Sequence, residues 1–197
     1  MCCSLFQMWS PLDLMIWKSP SPDGYLSGFF KTTWNEIGPL MCQAIKEFFS
    51  TGHMISECNS TNLVVLLKIP HPMNANDFRP ISYCTVIYKC ISKILCNRLK
   101  KVLPCITNPS QGAFAQGKEL LYNVLLCQEL VRGYNRQHIS PRCIIKIDLK
   151  KAYDLVYWEF LEEMLDYIRF PRIFITWIMA CVSTANFTIT VNGGVYG

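Results

Sequence analysis

Apolar and polar positions along the chain follow two periods, one near 3.6 residues and one of two. Across residues 28–52, Phe30, Trp34, Ile37, Met41, Ala44, Ile45, Phe48 and Phe49 recur at steps of three and four, which predicts helix with an apolar stripe turned to a core. Pro39 is expected to start a second helix within this stretch and Gly52 to end it, since proline suits a first helical position and glycine the residue after the last. The run NLVVLLKI, residues 62–69, predicts a short strand, and PHPMNANDFRPIS after it reads as a loop set by its prolines and asparagines. Helical period returns at residues 86–102. Ile87, Cys90, Ile91, Ile94, Leu95 and Leu99 fall on one side, and Lys89, Lys93, Asn97, Lys100 and Lys101 on the other.

The second half repeats the mixture. Residues 121–134 predict an amphipathic helix, and RCIIKIDL predicts a strand that turns Ile145 and Ile147 one way and Lys146 and Asp148 the other. From Lys150 the helical period resumes, with Tyr153, Val156, Tyr157, Phe160, Leu161, Met164 and Ile168 on one face and Asp154, Glu159, Glu162, Glu163 and Asp166 mostly off it. A further helix over residues 173–183 precedes NFTITVNGG, whose alternation and Asn192-Gly193 pair announce a hairpin. Its return strand is expected to be missing, because the sequence stops at Gly197. Helices and strands without an internal repeat place the chain in the α+β class.

Composition narrows the classes. About half of the 197 residues are apolar, enough for a sizeable core. Eleven cysteines are an odd number at irregular spacing with no signal peptide ahead of them, so they read as reduced thiols, with no disulfide-linked partner expected. No pair has the Cys-x-x-Cys spacing of a structural zinc site. Residues 1–17 form an atypical leader that lacks a basic start and is interrupted by Pro11 and Asp13. No run reaches the roughly 18 continuous apolar residues needed to span a bilayer, so the expectation is an intracellular protein, nuclear or cytoplasmic, not secreted and without a membrane.

Charge changes the picture more. Residues 59–101 hold Lys68, Arg79, Lys89, Lys93, Arg98, Lys100 and Lys101 against the single acid Asp77, whereas the whole chain is only +5. Positive charge so concentrated points to an anionic partner. A strand-end carboxylate such as Asp148, with an aromatic five residues on and a basic segment elsewhere, suits nucleotidyl transfer, in which hard oxygen ligands hold divalent ions. A strand-end aspartate is more often simply the cap of the helix that follows, and both readings stand at this level.

Eight stretches in order, SPSPDGY, NSTNLVVLLKI, NDFRPIS, YKCISKILCNRLK, SQGAFAQGK, NVLLCQELV, KIDLKKAYDLVYWEFL and ITVNG, resemble the reverse transcriptase domain of plant LINE-type non-LTR retrotransposons. The resemblance covers residues 18–197. It implies a right-hand polymerase, with residues 18–142 as fingers and 143–197 as part of a palm whose sheet is incomplete, truncated before the second catalytic motif. It implies RNA-directed DNA synthesis with an RNA template, a DNA primer, deoxynucleoside triphosphates and Mg2+. Asp148 matches the first metal-binding aspartate, with the Leu149 carbonyl as an additional ligand. Tyr153 matches the aromatic beneath the incoming sugar, and Lys68 and Arg79 match fingers residues that hold the triphosphate. Gln111, Phe114 and Gly117 lie in the motif that shapes the template and nucleotide pocket. Lys89, Lys93, Lys100 and Lys101 are the expected contacts to nucleic acid.

Ser21, Leu67 and Lys118 stand where the family usually has Gly, Pro and Arg. The aromatic-Ala-Asp-Asp hairpin expected beyond ITVNG is not in the sequence, and no acid occurs at residues 167–197. Asp148 therefore lacks the second carboxylate of a two-metal site, and the chain is expected to be inactive alone. Two alternatives remain: a non-catalytic nucleic-acid-binding module built on residues 59–101, and a decayed gene product that never folds because the unfinished hairpin leaves an unpaired edge.

Overall fold

The computed structural model describes residues 22, 24–108, 111, 120–132, 134, 143, 145, 147, 155–191 and 194–196. In chain order these form α1 (Ser27–Thr32), α2 (Trp34–Thr51), β1 (Ser60–Leu67), a short 3-10 turn (Ala75–Asp77), β2 (Phe78–Cys84), α3 (Val86–Ile106), α4 (Leu120–Val131), α5 (Trp158–Tyr167), α6 (Arg172–Ser183), β3 (Asn186–Val191) and β4 (Gly194–Tyr196). The chain divides into two compact units: one contains the chain up to Leu95 and from Trp158 on, the other Cys96–Tyr157.

The first unit packs helices around an apolar core beside one mixed sheet. Met41, Ile45 and Phe48 of α2, Val86, Cys90, Ile91 and Leu95 of α3, Leu165 of α5, and Phe174, Ile175 and Cys181 of α6 are buried. Ile91 and Ile175 are each 1% exposed, and burial of this kind stabilises by roughly 1.5–3 kcal/mol per side chain. Phe49 and Trp177 join α2 to α6 edge to face at 4.9 Å. Gly52 ends α2 in the left-handed region (φ 73°), its N–H donating to the Phe48 carbonyl at 2.8 Å, as the stop signal in the sequence required.

Pro39 does not start a helix: α2 begins at Trp34 and runs through it. The break falls one residue earlier, at Thr33, whose side chain donates back to the Phe29 carbonyl. The Trp34 indole folds over Gly38 so closely that a Cβ there would meet ring atoms at 2.7 Å.

The sheet has the order β2-β1-β3-β4, with β1 antiparallel to β2, parallel to β3, and β3 antiparallel to β4. Two expectations are corrected here. FRPIS is strand, not loop, and the hairpin after α6 does have a return strand, Gly194–Tyr196. Pro80 is tolerated because β2 is an edge strand and Pro80 sits opposite Val65. Lys68 N–H donates to the Asp77 carbonyl, so hydrogen-bonded pairs fall at 68/77, 66/79 and 64/81. Pro80, in the intervening non-bonded pair, directs its missing donor away from β1.

Asn59 ties the sheet to the helices. It is 1% exposed, its Nδ2 donates to Thr184 Oγ1 at 2.9 Å and to the Cys181 carbonyl at 3.4 Å, and its own carbonyl accepts the Asn186 N–H at 3.1 Å. One residue on, Ser60 and Asn186 open the parallel pairing. α5 ends with Arg169 at φ 63°, where Phe170 N–H reaches the Leu165 carbonyl and Arg169 N–H the Asp166 carbonyl, the two bonds of a Schellman end.

In the second unit α4 exposes Leu121, Tyr122, Val124, Leu125, Leu126, Leu130 and Val131. Cys143, Ile145 and Ile147 are exposed and not in a strand, in contrast to the strand expected over RCIIKIDL. Their intervening neighbours lie outside the described residues. α5 begins at Trp158 rather than near Lys150, since residues 155–157 are not helical.

Candidate functional site

Strand alternation explains where the two expected triphosphate residues lie. Arg79 is paired with Leu66, and Lys68 follows β1 two residues later, so both side chains belong to one face of the β1–β2 hairpin, at its distal end. Both are exposed. Diagonal neighbours of this kind lie roughly 7–8 Å apart at the backbone, close enough for long cationic side chains to meet one polyanion.

The turn between them is built from polar contacts. Asp77 Oδ2 accepts the Met73 and Asn74 N–H groups, each at 2.9 Å, and Asn74 reciprocates in a capping box. Lys68 Nζ donates to the Asn76 carbonyl at 2.6 Å. The Asn74 amide, then the Met73 amide, hold the Asp77 carboxyl below the usual carboxylate range, and the Lys68 ammonium adds to the lowering. Sequence reasoning counted Asp77 only as a charge, although the Asn-x-x-Asp spacing from Asn74 was a legible capping signal.

On α3 the basic residues divide. Lys100 and Lys101 are exposed, and Lys93 and Arg98 are half-buried. Lys89 is corrected: it is 9% exposed, beside buried Val86, Cys90 and Ile91. All buried residues of α3 fall in its first half, which is packed nearly all round, so the polar stripe read from the sequence reaches solvent only further along the helix. Gln111 is exposed, and its N–H donates to the Asn108 carbonyl at 2.9 Å. Asp148, Leu149, Tyr153, Phe114 and Gly117 lie outside the described residues.

The described residues do not fit a divalent metal pair. Among them no group of three His, Cys, Asp or Glu side chains could hold an ion, and none of the four strands carries a carboxylate. Hard oxygen donors are what such ions require, and Asp77 spends its oxygen on backbone amides. Nor is any helix among the described residues long and apolar enough to cross a membrane.

The family described as reverse transcriptase (RNA-dependent DNA polymerase) matches residues 69–196, which takes in Arg79 and begins one residue after Lys68. The chain is 27% identical over 175 residues to the transposon TX1 uncharacterized 149 kDa protein of Xenopus laevis, covering 89% of this chain and 13% of that protein. It is 25% identical over 152 residues to the retrovirus-related Pol polyprotein from type-1 retrotransposable element R1 of Bradysia coprophila, covering 76% and 15% respectively. It is 27% identical over 164 residues to the corresponding R2 polyprotein of Nasonia vitripennis, covering 80% and 15%. The chain thus spans between 13% and 15% of the length of these relatives. With the family matching well over half of it, the chain belongs to the reverse transcriptase (RNA-dependent DNA polymerase) family, and its similarity is to retrotransposon proteins.

Proposed function

We propose that this chain is the nucleotide- and template-handling part of an RNA-directed DNA polymerase of a plant LINE-type non-LTR retrotransposon. Residues 18–142 act as fingers and 143–197 as part of the palm. The observation that carries this reading is the pair of exposed cations on one face of the β1–β2 hairpin, Lys68 and Arg79. A point charge beside a planar fork suits the oxygens of a triphosphate.

By the resemblance, Asp148 and the Leu149 carbonyl stand on the metal side of the reaction, Mg2+ is the ion, and Tyr153 lies under the incoming sugar. Residues 167–197 hold no acid that could join Asp148. We therefore propose that residues 1–197 by themselves bind nucleotide and nucleic acid without joining them, and that they work inside the cell, in the nucleus or cytoplasm.

Binding of a fluorescein-labelled deoxyuridine triphosphate in metal-free buffer tests the hairpin directly. Lys68→Ala and Arg79→Ala each remove charge-assisted contacts, and each is expected to weaken binding about tenfold. Unchanged affinity in both variants would refute the assignment.

A second reading is favoured by the exposure of Lys100 and Lys101 on α3. In it the chain serves as a nucleic-acid-binding module, and affinity comes from phosphate contacts rather than from the nucleotide site. Steep salt dependence is its signature.

A further inference from the structure

We propose that Asp77 is the positioning residue of the triphosphate site: by ordering the turn between β1 and β2 it presents Lys68 and Arg79 to one anion. This rests on the reading of Lys68 and Arg79 given above. A carboxylate beside two cations should, by charge alone, weaken the binding of a polyanion. Asp77 is nonetheless the one acid among residues 59–101, so its place calls for another physical reason.

That reason lies in how the turn is held. None of residues 68–76 is buried, and Met73 is 89% exposed, so no apolar core fixes their conformation. The order comes from hydrogen bonds, and Asp77 is at their centre. Its Oδ2 accepts from Met73 and Asn74 at 2.9 Å, its carbonyl accepts the Lys68 N–H at 2.8 Å, and the Asn74–Asp77 box closes the turn. Lys68 then donates its ammonium to the carbonyl of Asn76, next to Asp77. Arg79 follows two residues after Asp77 and takes its side of the sheet from the same register. Losing the carboxylate frees two backbone donors and releases the segment that fixes how far apart the two cations stand.

Two substitutions separate position from charge. Asp77→Asn removes the charge and keeps an oxygen able to accept both N–H groups; Asp77→Ala removes both. Titration with fluorescein-labelled deoxyuridine triphosphate in metal-free buffer is expected to show Asp77→Ala about fivefold weaker than the parent, the fold-change equivalent to the roughly 1 kcal/mol of local order that a lost cap removes. Asp77→Asn is expected to bind at least as tightly as the parent. Binding by Asp77→Ala equal to or tighter than the parent, while Lys68→Ala and Arg79→Ala bind more weakly, would overturn the positioning role and leave the triphosphate reading intact. No loss in Lys68→Ala and Arg79→Ala would overturn both. Amide hydrogen exchange supplies a readout that needs no variant to fold: Met73 and Asn74 should exchange slowly in the unmutated chain, and exchange there as fast as in an unstructured peptide would overturn the proposal.

Discussion

Replacing Asn59 by alanine should loosen the junction of β1, β3 and α6 more than its size suggests. The side chain is 1% exposed, and its Nδ2 supplies one good hydrogen bond, to Thr184 Oγ1 at 2.9 Å, and one long one, to the Cys181 carbonyl at 3.4 Å. Among the described residues its Oδ1 has no hydrogen-bond partner, so the native state already bears part of the cost of burying the amide. Each lost bond is worth about 1 kcal/mol, and the removed atoms leave a small void, giving a destabilisation of about 2 kcal/mol. In a domain of this size that lowers the melting temperature by about 4–8 °C. Asn59→Asp sharpens the test. It substitutes an acceptor for the donor that faced the carbonyl end of α6, where the helix dipole already disfavours negative charge. The folded-state pKa of that aspartate is raised above its unfolded value near about 4, so the deficit is small at or below that pH and grows as pH rises through it. Thermal melts by circular dichroism between about pH 4 and pH 8 measure both effects. An Asn59→Ala melt within about 1 °C of the parent, or an Asn59→Asp deficit independent of pH, would refute the role given to this side chain.

Arg169→Gly should raise stability by about 0.5–1 kcal/mol, because a glycine takes the φ of 63° at the end of α5 without the Cβ clash; a melt no higher than the parent's would contradict that. Replacing both Lys100 and Lys101 by alanine should reduce the slope of log affinity against log salt for single-stranded nucleic acid by about 1.4, measured by anisotropy with a labelled oligonucleotide. An unchanged slope would remove α3 from the interface.

Long periodic segments were the most legible part of the fold. The core stripe of α2 and the stop at Gly52 follow from spacing and from glycine's freedom at positive φ, and α6 departs from its expected span by a single residue. β2 was hidden because Pro80 reads as a loop residue; that it lies on an edge, in a non-hydrogen-bonded pair, depends on tertiary pairing that no local pattern carries. Lys89 was misread for a related reason: amphipathic spacing separates two sides of a helix but does not say that the first half of α3 is enclosed on nearly all of them. β4 was missed because only four residues follow the Asn192-Gly193 pair, which looked too few for a return strand, yet three of them pair with β3. At the candidate site, the basic segment was legible as charge and only the resemblance singled out Lys68 and Arg79, whereas the turn that relates them depends on Asp77 bonding to backbone, which charge counting ignores.

Primer extension by the purified 197-residue chain, on an RNA template with labelled deoxynucleoside triphosphates and magnesium, tests most directly whether it handles nucleotides without joining them. No template-directed incorporation above a mock purification is expected, because Asp148 has no acidic partner in residues 167–197. Incorporation that tracks the template and disappears in Asp148→Asn would contradict it.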